Sequence, residues 1–237
     1  MNHSQLISLS ASLAAAVTLG TAAYAADTAP VTAPASAQTA PLVTDAAFVA
    51  IDAQIAAAQV DKTATDWKTS LSLPKIVTFD ASKKYLAHMV TNKGELVIEF
   101  KPKIAPQHVT NFMYLARLGF YDGLPFHRVI QGFMAQGGDP LGNGSGGPGY
   151  KFAGEFEANT KHDRAGVVST ANAGPNTDGS QFFIMFNAYP SLDMNYSIFG
   201  QVIEGLDVLE KIEAAGNPGD GPPSEPLNIV NVTIEVK

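Results

Sequence analysis

Apolar and polar residues alternate along the part of the chain that follows residue 84, and this pattern predicts β-strands. In Glu95–Phe100 apolar residues occupy every second position, which places their side chains on one face of a strand. The turn signal Asn92–Gly94 separates this run from Tyr85–Val90, so the two runs are predicted to form a hairpin. The same period predicts a final strand at Asn228–Val236. Five shorter runs of strand character lie between turn residues: Phe126–Ile130, Phe133–Gln136, Val167–Thr170, Gln181–Phe186 and Ser197–Val202.

Two stretches of this region change to the spacing of a helix. From Val109 to Ala116 apolar residues recur three and four positions apart, while Pro106 suits a helix start. Gly119 provides a stop. A second helix is predicted at Leu206–Ala214. The many short strands favour a closed or nearly closed sheet, and we expect the first helix to plug one end of it.

An additional element is predicted before the strands, within an N-terminal extension that covers residues 45–82. Apolar residues recur at helical spacing from Phe48 to Ile55, and Thr44 or Asp45 can cap the resulting helix. The extension is therefore predicted to be partly helical. It forms either a structural layer of the main domain or an interaction arm.

Trp67 is the only tryptophan of the chain, and it stands in a polar neighbourhood of the extension. It anchors the extension either onto the main domain or onto a partner. Packing on the domain is the simpler interpretation, and the sequence leaves both open.

The N-terminus is predicted to direct export. Residues 1–25 carry no Asp, Glu, Lys or Arg and end in a triplet of small and aromatic residues, Ala23–Ala25. This pattern indicates a signal peptide that is cut after Ala25, with an uncleaved membrane anchor as the alternative. Residues 26–44, rich in Ala, Thr and Pro, are predicted to be a flexible linker. We therefore expect a periplasmic protein without stable membrane insertion.

Composition excludes several other classes. The chain has 237 residues, 46% of them hydrophobic, which suits one packed domain with additions. Its net charge of -7 argues against nucleic acid as a partner. It has no cysteine, so it forms no disulfide, and its histidines are scattered without metal-ligand spacing. Gly142–Gly147 fits a dinucleotide-binding glycine pattern, but Pro148 follows where that fold needs a helix.

Two long motifs carry the candidate chemistry. Phe126–Asp139 reads FHRVIQGFMAQGGD, and Ala171–Ile184 reads ANAGPNTDGSQFFI. A guanidinium, several amides and large apolar groups alternate along them, as expected of a groove that holds a proline ring and the neighbouring peptide carbonyls. The two motifs resemble those of the cyclophilin family of peptidyl-prolyl cis/trans isomerases, and the resemblance covers Lys84–Lys237.

This resemblance implies both a fold and an activity. The fold is mainly β, an eight-stranded antiparallel cyclophilin-like barrel capped by two α-helices, in residues 83–237. The activity is isomerisation of Xaa-Pro bonds in unfolded or partly folded polypeptides, with no cofactor and no metal. The chain resembles the exported bacterial members, and we expect a monomer that assists the folding of exported proteins.

Arg128 is the predicted catalytic residue. Rotation about a peptide bond meets a barrier of about 18–20 kcal/mol because the nitrogen lone pair is delocalised. In the twisted transition state the prolyl nitrogen becomes an acceptor, so a fixed donor aimed at it binds that state better than either isomer. Arginine offers several N–H donors in a rigid plane. An isolated arginine is ordinarily a surface residue, and the surrounding motif decides against that interpretation here.

The resemblance also implies the remaining site residues. Gln136 is the second catalytic residue, although a buried amide can instead satisfy the backbone of the barrel. His127 is predicted to be a satisfied structural imidazole, because alternation places it on the opposite face from Arg128. The implied substrate-binding residues are Phe133, Met134, Ala171, Asn172, Ala173, Gln181, Phe183, Leu192 and Tyr196.

Two positions depart from the pattern of familiar eukaryotic cyclophilins. Ser191 stands where those proteins often have Trp, and the loss of the indole N–H predicts weak inhibition by cyclosporin. Tyr196 stands where they have His, and its aromatic wall predicts retained catalysis with an altered sequence preference.

Two alternative functions remain open from the sequence. One is a noncatalytic peptide-binding module or holdase, in which the groove and the extension capture clients. The other is an assembly scaffold at the membrane, which requires that the N-terminal segment is retained. The presence of both Arg128 and Gln136 favours the enzyme.

Overall fold

The computed structural model describes residues 45–237. The predicted signal peptide, 1–25, and the predicted linker, 26–44, lie outside these residues and stay predictions. Each observed strand overlaps a predicted run. The strands are β1 Tyr85–Thr91, β2 Gly94–Phe100, β3 Arg128–Ile130, β4 Met134–Gly137, β5 Val167–Thr170, β6 Phe182–Met185, β7 Ile198–Glu204 and β8 Ile229–Val236.

The eight strands form one antiparallel sheet in the order β3-β4-β6-β5-β7-β2-β1-β8. Its edges are β3, which has only 3 residues, and β8, which has 8. The backbone leading into β3 bonds to the backbone leading into β8, with Phe126 N donating to Leu227 O at 2.9 Å. The expected regular barrel is therefore corrected to a curled half-barrel. The reason is that the edge strands β3 and β8 stand at opposite ends of the strand order, and irregular backbone such as Phe126 and Leu227 joins them.

Three α-helices accompany the sheet: α1 Ala46–Ala58, α2 Pro106–Arg117 and α3 Leu206–Ala214. The two expected helices of the main domain are α2, which packs on β7 and β8, and α3, which packs on β2, β3 and β4. Pro106 opens α2 as predicted, and Gly119 follows its end with a φ of 70°, which favours glycine. Within residues 45–237, no helix is both long enough and apolar enough to cross a membrane.

The predicted N-terminal helix is α1, and Asp45 caps it. The Asp45 carboxylate accepts hydrogen bonds from the backbone N of Ala47 at 2.9 Å and of Phe48 at 3.3 Å. The same side chain accepts from Lys83 Nζ at 2.9 Å and from the Tyr85 hydroxyl at 3.1 Å. Burial raises the pKa of Asp45, but the bonds from Lys83, Phe48 and Tyr85 outweigh it and lower the pKa. Asp45 therefore ties the extension to β1.

The extension shares the core of the main domain. Phe48, Ile51 and Leu71 are buried in the same cluster as the inward-facing side chains of the sheet. Trp67 meets Phe120 edge to face, with ring centroids 6.3 Å apart. Of the two roles left open for Trp67, the structure shows packing on the domain. The predicted boundary between residues 82 and 83 stays a prediction.

Candidate functional site

A row of polar side chains crosses β3, β4 and the residue before β6. Arg128 and Gln136 lie directly opposite each other in the strand register. Arg128 Nη1 donates to Gln136 Oε1 at 3.2 Å, and Gln136 Nε2 donates to Gln181 Oε1 at 2.9 Å. Gln181 Nε2 donates in turn to the carbonyl oxygens of Gly144 and Gly146, at 3.0 and 2.8 Å. Arg128, Gln136 and Gln181, the polar row, therefore hold one another in fixed orientations.

Asp220 holds the other side of the guanidinium. Arg128 Nε donates to Asp220 Oδ1 at 2.6 Å, and Nη2 donates to Oδ2 at 3.1 Å. The hydrogen bond from Arg128 lowers the pKa of Asp220. Both terminal nitrogens of Arg128 keep a second N–H group, and the side chain is 36% exposed. A ligand can therefore still receive hydrogen bonds from it.

A small apolar cluster lies beside the polar row. Met134 on β4 pairs with Met185 on β6, two residues along the ladder from the pair that Gln136 makes with Phe183. The rings of Phe183 and Tyr196 meet edge to face at 5.5 Å. Apart from Ala173, the apolar residues predicted for the site belong to this cluster: Phe133, Met134, Ala171, Phe183, Leu192 and Tyr196.

His162 supports the base of this cluster. Its ring stacks on Phe183 with centroids 6.0 Å apart. Its Nδ1 lies 3.0 Å from Asp193 Oδ1, and its Nε2 lies 2.8 Å from Ser169 Oγ. Burial lowers the pKa of His162, although Asp193 opposes the shift. A neutral imidazole that donates to Asp193 and accepts from Ser169 satisfies both neighbours, so Phe183 rests on a fixed ring.

The segment 171–178 borders the cluster. Ala171 N donates to Gln181 O at 2.9 Å, which fixes the start of the segment to the polar row. Asn172 Nδ2 donates to Asn195 O at 3.2 Å, and Ala173 N donates to Thr177 Oγ1 at 2.8 Å. The structure thus places these predicted substrate-binding residues at the site, and their binding roles stay predictions.

Two grooves lie on either side of this segment. The first groove, of about 760 Å³, is lined by Gln136, Gln181 and Ala171, by Thr69 of the extension, and by residues 144–149. The second groove, of about 590 Å³, is lined by residues that include Ser191, Leu192 and Tyr196. Asn172 and Ala173 line both grooves. Seven of the eleven predicted site residues therefore line one or both grooves, whereas Arg128, Phe133, Met134 and Phe183 line neither.

His127 is not the satisfied imidazole that the sequence predicts. Among the described residues, both of its ring nitrogens are buried and have no hydrogen-bond partner. Burial lowers the pKa of His127, Asp139 raises it and Arg128 lowers it further, with a net lowering. The prediction of a satisfied imidazole is wrong because the chain ahead of Arg128 is not yet strand, so simple alternation of faces does not apply to His127. That His127 is structural rather than catalytic stays a prediction.

Sequence reasoning also missed residues that the structure places at the site. Asp220 lies in a Gly- and Pro-rich segment whose composition indicates only turns. Tyr189 lies against Phe133, with ring centroids 4.6 Å apart, and is 43% exposed. An aromatic residue just before Pro190 was the signal that the sequence offered for Tyr189. No periodic pattern marks Asp220.

Comparison with known proteins now decides the family. Residues 86–234 match the family model described as Cyclophilin type peptidyl-prolyl cis-trans isomerase/CLD. The chain belongs to the cyclophilin family. The matched cyclophilin domain includes every predicted site residue and both motifs, while the extension precedes it.

Named relatives give the same family. Peptidyl-prolyl cis-trans isomerase A of Mycobacterium tuberculosis is 44% identical over 165 residues, which cover 62% of this chain and 91% of that protein. Peptidyl-prolyl cis-trans isomerase CYP71 of Arabidopsis thaliana is 45% identical over 149 residues, or 62% of this chain. This chain spans only 24% of the length of CYP71. The similarity therefore concerns the cyclophilin domain.

A solved structure is similar as well. It is a cyclophilin type peptidyl-prolyl cis-trans isomerase of Cryptosporidium parvum, crystallised in the presence of the dipeptide Ala-Pro. It has 37% sequence identity and a TM-score of 0.61, and the match covers 63% of this chain and 98% of that one. The cyclophilin fold expected from the two motifs is confirmed.

The enzyme class is confirmed for the cyclophilin domain, because the family and its named relatives are peptidyl-prolyl cis-trans isomerases. The expectations that the chain is exported, periplasmic and monomeric stay predictions. The individual roles of the site residues also stay predictions.

Proposed function

We propose that this protein accelerates cis/trans rotation of Xaa-Pro bonds during the folding of exported proteins, with Arg128 as the donor that stabilises the transition state. The observation that carries the proposal is the polar row beside the apolar cluster. There Gln136 and Asp220 fix the Arg128 guanidinium, and two of its N–H groups have no partner within residues 45–237.

The chemistry needs no bond to be made to the protein. As the Xaa-Pro bond twists, its nitrogen loses delocalisation and becomes a hydrogen-bond acceptor. A donor that is already oriented stabilises this state without reorganising during the reaction. Arg128 supplies that donor and Gln136 keeps it in position, while the neighbouring apolar cluster holds the proline ring. The substrates are proline-containing segments of unfolded or partly folded polypeptides.

The family supports this class of substrate. The Cryptosporidium parvum relative was crystallised in the presence of an Ala-Pro dipeptide, the smallest unit that contains the bond to be rotated. On this chain an Xaa-Pro segment fits across the cluster of Phe133, Met134 and Phe183, next to Arg128. Ser191 leaves one side of that surface open where a Trp would close it.

Export is the second part of the proposal. Residues 1–25 support it through their uncharged apolar sequence and the small residues before the predicted cut after Ala25. Mass spectrometry of the protein recovered from the periplasmic and membrane fractions tests it. A chain that begins at Ala26 is the expected result, and a chain retained in the membrane with its first residues intact contradicts it.

The isomerase mechanism is tested by protease-coupled turnover of an Xaa-Pro peptide. Arg128→Ala is expected to lower kcat/KM at least about tenfold while circular dichroism shows an unchanged fold. Arg117→Ala is the matched control, because Arg117 makes the same kind of aspartate pair away from the grooves. A folded wild type without turnover contradicts the mechanism and leaves a noncatalytic peptide-binding protein as the better account.

A further inference from the structure

Residues 66–71 of the extension, here called the rim segment, touch the loop that borders the first groove. Leu71 N donates to Pro148 O at 2.9 Å. The adjacent Gly149 has a φ of +102°, and a Cβ atom at this position would lie 2.7 Å from Thr69 O. Real Cβ atoms do not approach that closely. The rim segment and the loop therefore pack backbone against backbone, and Gly149 allows it.

The rim segment is itself held by the main domain. Trp67 packs edge to face on Phe120. Lys68 Nζ donates to Asp122 O at 3.1 Å, and burial lowers the pKa of this lysine. Leu71 is buried in the shared core. The segment is thus fixed on both sides of Thr69 and forms a rigid wall.

Thr69 belongs to the lining of the first groove, together with Gln136 and Gln181 of the polar row. Among the described residues of this lining, the one charged side chain is Lys151, and there is no carboxylate. A ligand that reaches from the polar row into the groove therefore meets amides, hydroxyl groups and one cation. This lining favours polar or acidic groups over basic ones.

The loop under the rim segment, residues 144–149, also contacts the polar row. Its carbonyl oxygens at Gly144 and Gly146 receive the two hydrogen bonds from Gln181 Nε2. The contact between Leu71 and Pro148 thus adjoins the residues that orient the polar row. The extension and the cyclophilin domain build this side of the site together.

We infer that the extension is part of the substrate site, and that Thr69 is a specificity-determining residue for a side chain that flanks the isomerised Xaa-Pro bond. This inference rests on the proposed function, because the groove takes substrate only if the polar row acts on that bond. Arg128 acts at the bond itself, whereas Thr69 contacts a neighbouring side chain. A change at residue 69 therefore alters the choice among substrates that differ at the flanking position.

Reciprocal charge substitution tests this inference on the full chain. The substrates are proline peptides that carry Glu, Ala or Lys at one flanking position at a time, on either side of the bond. Thr69→Glu is expected to raise the ratio of kcat/KM for the Lys peptide to kcat/KM for the Glu peptide about fivefold, which is the scale of one partly exposed ion pair. Thr69→Lys is expected to lower the same ratio. Both changes are expected at the same flanking position of the peptide. The Ala peptide is the uncharged reference for each variant.

Ser70 provides the matched control. It is the exposed neighbour of Thr69 and lines a different depression, beside Trp67 and Tyr114. Ser70→Glu and Ser70→Lys place the same charges one residue away and are expected to leave the ratio unchanged. Equal shifts from residues 69 and 70, or a uniform fall on every peptide, overturn the inference.

Failure of the proposed function gives a different result. In that case the wild type turns over none of the peptides, and their binding is measured by fluorescence anisotropy instead. A reciprocal charge shift in Kd then still supports the role of Thr69 at a peptide-binding groove. Identical Kd values for the wild type and both Thr69 variants overturn it.

Discussion

Two arginines of this protein make the same bidentate pair with an aspartate in different surroundings. Arg117 on α2 donates from Nε and Nη2 to Asp52 on α1, at 2.7 and 2.6 Å. Arg128 donates from the same two atoms to Asp220, at 2.6 and 3.1 Å. The guanidinium of Arg117 also lies over the ring of Phe48, with 4.6 Å from Cζ to the centroid. Arg128 instead has an amide partner from the polar row.

The remaining contacts of each guanidinium separate a structural arginine from a site arginine. An aspartate and an aromatic ring enclose Arg117, which therefore cross-links the extension to α2. Arg128 has an aspartate and an amide as its partners among the described residues, and this amide, Gln136, lines the first groove. The aspartate pair alone does not distinguish these roles, because both arginines have one.

The largest effect that tests this comparison is expected from Arg128→Lys. Lysine keeps the charge but loses the planar fork that can serve Asp220, Gln136 and a substrate together. We expect kcat/KM to fall about tenfold to hundredfold, with little change in the thermal unfolding midpoint. Arg117→Lys is the control and is expected to keep full activity. Equal turnover by Arg128→Lys and the wild type contradicts the role of the fork.

Arg117→Ala is expected to lower stability and to leave activity unchanged, the opposite of Arg128→Lys. It removes the pair with Asp52 and the contact with the Phe48 ring, which join α1 to the domain. We expect the free energy of unfolding to fall by about 1–2 kcal/mol, measured in urea, while kcat/KM stays near the wild-type value. Asp52→Asn, which leaves the ring contact intact, should cost less. A loss of activity at constant stability would mean that the two arginines do not differ as described.

The fold was largely predictable because its signals are local and repeated. The period of two in Glu95–Phe100, the turn at Asn92–Gly94 and Pro106 at the start of α2 each act within a few residues. The seam of the sheet was not predictable from such patterns. It depends on irregular backbone, such as the bond between Phe126 and Leu227, that no periodicity marks.

The site residues that lie within the two motifs were predictable, whereas those that distant segments bring together were not. The two motifs contain Arg128, Gln136 and Gln181, so the resemblance located the polar row. Asp220 and Thr69 lie outside both motifs and reach the site only through the folded chain. His127 shows the limit of alternation as an argument, because its environment depends on backbone that is not strand.

Asp220→Asn tests how far the partner of Arg128 contributes to the site. Asparagine keeps the size and one acceptor but removes the charge that orients the guanidinium. Because the aspartate is 71% exposed, we expect only about a two- to fivefold fall in kcat/KM. Added to Arg128→Lys, the same change should have no further effect, since the fork it orients is absent. Additive losses in the double variant would show that Asp220 acts independently of Arg128.

The smallest effect is expected at a histidine, His88, whose side chain, unlike that of arginine, can lose its charge. His88 on β1 lies between Glu95 Oε1 at 2.7 Å and Glu235 Oε2 at 2.9 Å. Burial lowers its pKa, but the bonds to Glu235 and Glu95 outweigh this, so the pKa is raised above 6.5. The stabilisation is therefore complete below the unfolded pKa and is lost as pH rises through the higher folded pKa.

His88→Gln should accordingly lower the free energy of unfolding more at about pH 5.5 than at about pH 9, by less than about 1 kcal/mol because the site is largely solvated. Lys84→Gln is the control, since Lys84 pairs with Glu99 at 3.2 Å on the same sheet without an imidazole. Its cost should be the same at both pH values. A pH-independent cost for His88→Gln would mean that the imidazole acts there as a neutral hydrogen-bonding group. His88 would then bridge Glu95 and Glu235 without the positive charge that Arg117 and Arg128 bring to their aspartates.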